Sequence, residues 1–92
     1  MSARVTFAIP IAPRQRWLDV ALQSIEYQRY DDWTVAAVLD GPCEQNFATL
    51  EASPIFDRIR VVVMPGGSGI ARCLNVALES GGSEYVARLD AD

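Results

Sequence analysis

Residues 33–39, Trp-Thr-Val-Ala-Ala-Val-Leu, are apolar almost without interruption, so neither face of a strand made from them can meet water. Such a strand must be covered on both sides, as strands are in parallel sheets flanked by helices. The neighbouring segments keep to that demand. Residues 4–9, 59–64 and 84–89 have the length and β-branched content of further strands. Between them, apolar residues recur at helical spacing: Leu18, Ala21, Leu22 and Ile25 within 16–28, a weaker helix over 44–52, and Ile70, Leu74, Ala77 and Leu78 within 69–79.

Breakers separate these runs. Pro10 closes the first strand, Asp40-Gly41-Pro42 the second, and Pro65-Gly66-Gly67-Ser68-Gly69 follows the third, with Ser68 the expected N-cap of the last helix and Gly81-Gly82 its stop. The order βαβαβαβ predicts an α/β fold: a mostly parallel sheet of about four strands with crossover helices on both faces, Rossmann-like. Ligands of such sheets bind beyond the carboxyl ends of the strands, near the point where strand order reverses. The loop after Pro10, Asp40, and the pair Asp90/Asp92 all fall there. The strand before that pair is expected to be buried.

Charge narrows the function classes. Twelve acidic residues against eight basic ones give −4, which argues against nucleic acid or an anionic membrane surface as partner. All eight bases are Arg and there is no His, so the commonest general base and zinc ligand are missing. Cys73 falls among the apolar residues of the third helix and is expected in the core; Cys43, after Gly-Pro, is expected to be a loop thiol. No apolar run approaches the ~20 residues of a membrane span. The expected compartment is the cytoplasm, with membrane association through residues beyond Asp92 left open.

Asp-x-Asp supplies two hard oxygen ligands suited to Mg²⁺ or Mn²⁺; its place after an apolar strand singles it out, and a solvated turn is the alternative. Asp40-Gly41 is a common turn dipeptide, or else a carboxylate aimed at a base N–H or a ribose hydroxyl. The Gly-rich loop 66–69 fits neither the P-loop pattern nor Gly-x-Gly-x-x-Gly, because Arg72 stands where the third Gly would be. Arg72 is placed to reach a diphosphate. Asn75, a turn further along, has modest helix propensity and is expected to be held near the strand ends.

Taken together these segments resemble family 2 glycosyltransferases of the GT-A fold, over the whole chain. Val5-Thr-Phe-Ala-Ile-Pro10 is similar to that family's opening strand, and residues 17–28 to its first helix. Val38-Leu39-Asp40-Gly41 resembles the aliphatic-Asp-Asp-Gly segment. Gly69-Ile-Ala-Arg-Cys-Leu-Asn75-Val-Ala-Leu78 and Glu84-Tyr-Val-Ala-Arg-Leu-Asp-Ala-Asp92 match its Gly-Leu-Ala-x-x-Leu-Asn-x-Gly-Leu and Glu-Tyr-(Ile/Val)-Ala-Arg-(Met/Leu)-Asp-x-Asp. The departures are Leu39 at the first Asp of Asp-Asp-Gly, Ala12 at a frequent aromatic, Pro13 at a usual Asn, and Ala77 at the Gly near the helix end.

The resemblance implies a metal-dependent, inverting transfer of sugar from a nucleoside-diphosphate sugar, a UDP-sugar before others, to an acceptor hydroxyl. It implies a nucleotide-sugar site at Pro10, Asp40, Arg72, Asn75 and Asp90. Asp40 would lie at the nucleobase, Asp90 near the ribose, and Asp92 with Asp90 at Mn²⁺ or Mg²⁺. Residues 1–92 are then expected to be the N-terminal donor-binding part. The glycan or lipid-linked acceptor and the catalytic base would belong to residues beyond Asp92, leaving this chain inactive alone. A sugar-phosphate nucleotidyltransferase is disfavoured because the loop after the first strand has no Gly. The remaining alternative is a non-catalytic α/β module that self-associates or binds a partner through an exposed sheet edge.

Overall fold

The computed structural model describes residues 4–80 and 83–90; Asp92 and the Gly81-Gly82 stop lie outside the described residues. The chain runs β1 (Val5–Ile11), α1 (Leu18–Glu26), β2 (Trp33–Asp40), α2 (Glu44–Glu51), a 3-10 turn (Phe56–Arg58), β3 (Ile59–Met64), α3 (Ile70–Ser80) and β4 (Tyr85–Arg88). The four strands form one parallel sheet in the order β3-β2-β1-β4. The predicted fold class is therefore the observed one.

The apolar run of β2 lies inside this sheet, paired to β1 on one side and β3 on the other. Residues 35–39 are at most 3% exposed. Strand alternation divides the core in two. Ile9, Ile11, Val35, Ala37 and Leu39 pack with Leu18, Leu22 and Ile25 of α1 and Leu50 of α2, while Ala8, Ala36 and Val38 pack with Cys73 and Ala77 of α3. Chirality requires this division. The first two crossovers move outward from β1 to β3, and the third returns past both to β4. Right-handed connections then put α3 on the face opposite α1 and α2.

The buried face of α3 keeps the expected Cys73 and Ala77 but not Ile70 and Leu78. Cys73 and Ala77 are each 1% exposed, whereas Ile70 and Leu78 are more than half exposed. The sheet presents Ala8 and Ala36 here, so the helix settles on its own small residues and turns the larger ones outward. Strand β4 also departs from expectation. Tyr85, Val86 and Arg88 are exposed, because among the described residues β4 is an edge strand, paired to β1 alone.

Strand β1 continues past Pro10 to Ile11, with Pro10 opposite Val38. On the β4 side, Leu89 N–H donates to the Ala8 carbonyl at 3.0 Å. The next bond of that ladder would need an N–H from residue 10, which proline lacks. Pro10 therefore ends the β1–β4 pairing and not the strand.

Candidate functional site

Strand order reverses between β1 and β4, and the segments leaving the carboxyl ends of the strands meet along that edge. A small hollow there is lined by Pro10, Ile11, Ala12, Asp40, Ile70 and Cys73. Three of the expected site residues stand on this edge: Pro10, buried at the end of β1; Asp40, half-buried at the end of β2; and Asp90, exposed beyond β4.

The parity of β2 points Asp40 toward the α3 face, opposite Leu39. Its Oδ1 accepts the Ser68 N–H at 2.8 Å and its Oδ2 the Gly69 N–H at 3.0 Å. A carboxylate from a distant strand thus satisfies donors at the start of α3, where free N–H groups and the helix dipole favour negative charge. Ser68, the expected N-cap, turns its hydroxyl back to the Pro65 carbonyl at 2.7 Å. Gly41, at φ 108°, lies so close to Gly66 that an added Cβ would come within 3.2 Å of its Cα. Asp40 and Gly41 together seat the 65–69 loop on the end of β2.

Leu39 is 1% exposed inside the α1/α2 core. The position equivalent to the first Asp of Asp-Asp-Gly therefore offers a ligand no polar group.

Arg72 lies in the first turn of α3 and is exposed. Asn75 is exposed too, two residues from buried Cys73 and so on the far side of the helix from the sheet. The geometry brings neither into the hollow beside Pro10.

Asp90 accepts a hydrogen bond from Arg88 Nε at 2.9 Å, an exposed ion pair worth at most about 1 kcal/mol. A cation could displace such a partner. Among the described residues no three acidic or thiol side chains converge on one point. Asp90 would be the described ligand, and Asp92 lies outside the described residues.

One residue at this edge escaped the sequence reading. Asn46, in the first turn of α2, is 1% exposed. Its Nδ2 donates to the Ala12 carbonyl at 3.0 Å and its Oδ1 accepts the Gln15 N–H at 3.2 Å. Between those two residues, Arg14 takes φ 61°. The available signal was an Asn inside a helix, where its propensity is poor.

Cys43 lies in the loop before α2, as expected, at the N-cap position of that helix. The amides of Asn46 and Arg14 lower its pKa most, burial opposes them, and the Gln45 amide and Arg14 charge add to the lowering. Cys73 is raised, by burial first and by the charge of Asp40 second.

Residues 6–92 match the model of glycosyl transferase family 2. The teichoic acid poly(glycerol phosphate) polymerase of Staphylococcus epidermidis is 31% identical over 91 residues, 97% of this chain and 13% of that protein. An uncharacterized glycosyltransferase of Haemophilus influenzae is 28% identical over 79 residues, 85% of this chain and 24% of that one. Among solved structures, S. aureus TarS superposes with a TM-score of 0.86 at 22% identity, over 97% of this chain and 16% of its own. The Pyrobaculum calidifontis mannosyltransferase PcManGT, solved with GDP-Man and Mn²⁺, superposes at 0.84 and 24% identity, over 100% of this chain and 28% of its own. The chain thus spans between 13% and 28% of the length of these four proteins. No helix among the described residues is long and apolar enough to cross a membrane. With a family match over nearly its whole length and the parallel sheet expected of it, this chain belongs to glycosyltransferase family 2.

Proposed function

We propose that this chain forms the donor-binding part of an inverting, metal-dependent glycosyltransferase, which moves sugar from a nucleoside diphosphate to an acceptor hydroxyl. The observation carrying this reading is that Pro10, Asp40 and Asp90 stand at or just beyond the carboxyl ends of β1, β2 and β4 in one parallel sheet, within a chain that matches family 2. Pro10 ends the β1–β4 ladder at the edge to which the donor is assigned. Asp40 retains a lone pair on each oxygen beyond its two backbone bonds and is assigned to the nucleobase end. Arg72 and Asn75 lie along α3, Arg72 for the diphosphate and Asn75 for an outer contact of the donor.

Asp90 and Asp92 are the proposed ligands of Mn²⁺ or Mg²⁺. A divalent cation at that place would stabilise, as a Lewis acid, the charge left on the departing diphosphate. Inversion needs a base that deprotonates the acceptor hydroxyl as it attacks the anomeric carbon opposite the diphosphate. We assign that base and the acceptor site to residues outside this chain. The similar mannosyltransferase was solved with GDP-Man and Mn²⁺, which supports testing GDP beside UDP.

Titration of the chain with UDP, GDP and dTDP, each with Mg²⁺ and followed by NMR, tests the reading. Weak, cation-dependent shifts at residues 10–15, Arg72 and Asp90 are expected. Loss of none of them on removing the cation, or no shift with any nucleotide, would leave the non-catalytic module as the better reading.

A further inference from the structure

The β1–α1 connection crosses the donor edge through a tight turn. Ala12 opens it and lines the hollow beside Pro10 and Asp40. Pro13 takes the second place, Arg14 the third at φ 61°, and Gln15 closes it. Pro followed by a positive φ is the pattern of a type II turn, which normally places Gly or Asn third. Arg has a Cβ and no short side chain to bond locally, so it does not favour this conformation by itself.

The primary amide of Asn46 spans the two ends of that turn. Its N–H donates to the carbonyl of the first residue and its oxygen accepts from the N–H of the fourth. An amide presents donor and acceptor side by side, as the turn requires, and Asn46 is buried at 1% exposure with both groups used. A carboxylate can only accept, an ammonium can only donate and an apolar side chain does neither, so none of these replaces the amide.

We infer that Asn46 is a positioning residue of the donor site: it locks the 12–15 turn with Arg14 left-handed, and so fixes where Ala12 and the turn stand on the edge to which the donor is assigned. The inference rests on the donor-site reading above. Asn46 itself need touch no ligand. It acts from α2, an element on which no expected donor residue lies, and so ties the α1/α2 layer to the ligand edge.

The replacements Asn46→Leu and Asn46→Asp separate this role from mere packing. A carboxylate at residue 46 has no hydrogen to give Ala12, but a protonated carboxyl has both donor and acceptor. Burial raises the pKa of such a group, so acid should restore the lock in Asn46→Asp and not in Asn46→Leu. The 92-residue chain and both variants would be compared by NMR at pH 7.5 and about pH 5, with affinity for GDP and UDP in Mg²⁺ referred to wild type at each pH.

At pH 7.5 both variants should keep the dispersed amide signals of the sheet, lose the left-handed signature of Arg14, and bind about fivefold more weakly. Near pH 5, Asn46→Asp should recover both the Arg14 signature and wild-type affinity, while Asn46→Leu recovers neither. An unchanged Arg14 signature in both variants would overturn the lock. A displaced turn with wild-type affinity would overturn its role in the donor site. A wild-type chain that binds neither nucleotide would overturn the donor reading itself, a failure visible without any variant.

Discussion

The Asp40 carboxylate and the Ser68 amide meet at 2.8 Å across 28 residues of chain, joining the end of the central strand to the start of α3. Removing that carboxylate strands two N–H groups at a helix terminus. Asp40→Ala should therefore destabilise the chain by about 1–3 kcal/mol, and Asp40→Asn by less, since an amide oxygen still accepts one bond. Urea midpoints at unchanged slope would measure both. An Asp40→Ala chain as stable as wild type would mean the loop is seated by other contacts.

Two glycines with positive φ make a controlled comparison. Gly41 at φ 108° has Gly66 Cα within 3.2 Å of where a Cβ would stand, whereas Gly67 at φ 80° has nothing within 4 Å. Gly67→Ala should cost about 1 kcal/mol from backbone strain alone, and Gly41→Ala more, because the Gly66 backbone must also move. Thermal melts that rank Gly67→Ala as the worse of the two would contradict the close approach.

Thiol chemistry should separate the cysteines. Cys43 is half-buried with its pKa lowered by the Asn46 and Arg14 amides; Cys73 is buried with its pKa raised. The thiolate is the nucleophile, so iodoacetamide near neutral pH should label Cys43 first, and Cys43→Ser should remove the fast phase. The stability linkage has opposite signs. The lowered Cys43 favours folding above its unfolded pKa and loses that contribution as pH falls through the folded value. The raised Cys73 favours folding below its unfolded pKa and loses that contribution as pH rises through the folded one. Equal labelling rates for the two thiols in the native chain would contradict the N-cap placement of Cys43.

Arg58 braces the opposite end of β2. Its guanidinium carbon lies 3.5 Å from the centroid of the Trp33 ring, and its Nη2 donates to the carbonyls of Asp31 and Trp33. A planar fork can stack and donate together, which an ammonium cannot. Arg58→Lys should then recover little of the about 1–3 kcal/mol lost in Arg58→Ala. Full recovery by Lys, measured by denaturant unfolding, would reduce the contact to simple charge.

Layer order and sheet direction were legible because β2 is apolar on both faces and the helical stretches repeat at 3.6 residues. What the sequence did not disclose depends on partners distant along the chain. Pro10 looked like a strand terminator, and only the sheet order shows that it ends one ladder while the other continues to Ile11. Ser68 had the right chemistry for an N-cap, yet Asp40 occupies that role from another element. Cys73 and Ala77 were legible as buried positions of α3, but the outward turn of Ile70 and Leu78 was not, because it follows from Ala8 and Ala36 on the facing strands. Asn46 carried almost no local signal.

Mn²⁺ is the sharpest probe of a cation-assisted nucleotide site at the Asp90 edge. The ion is paramagnetic, so NMR signals of nearby residues broaden. Broadening should centre on Arg88, Leu89 and Asp90 and reach the hollow beside Pro10, strengthened by GDP or UDP and removed by replacing Asp90 and Asp92 together with Asn. Broadening centred instead on other acidic residues, such as Asp31/Asp32 or Glu44 and Glu51, or unaffected by that double replacement, would contradict it.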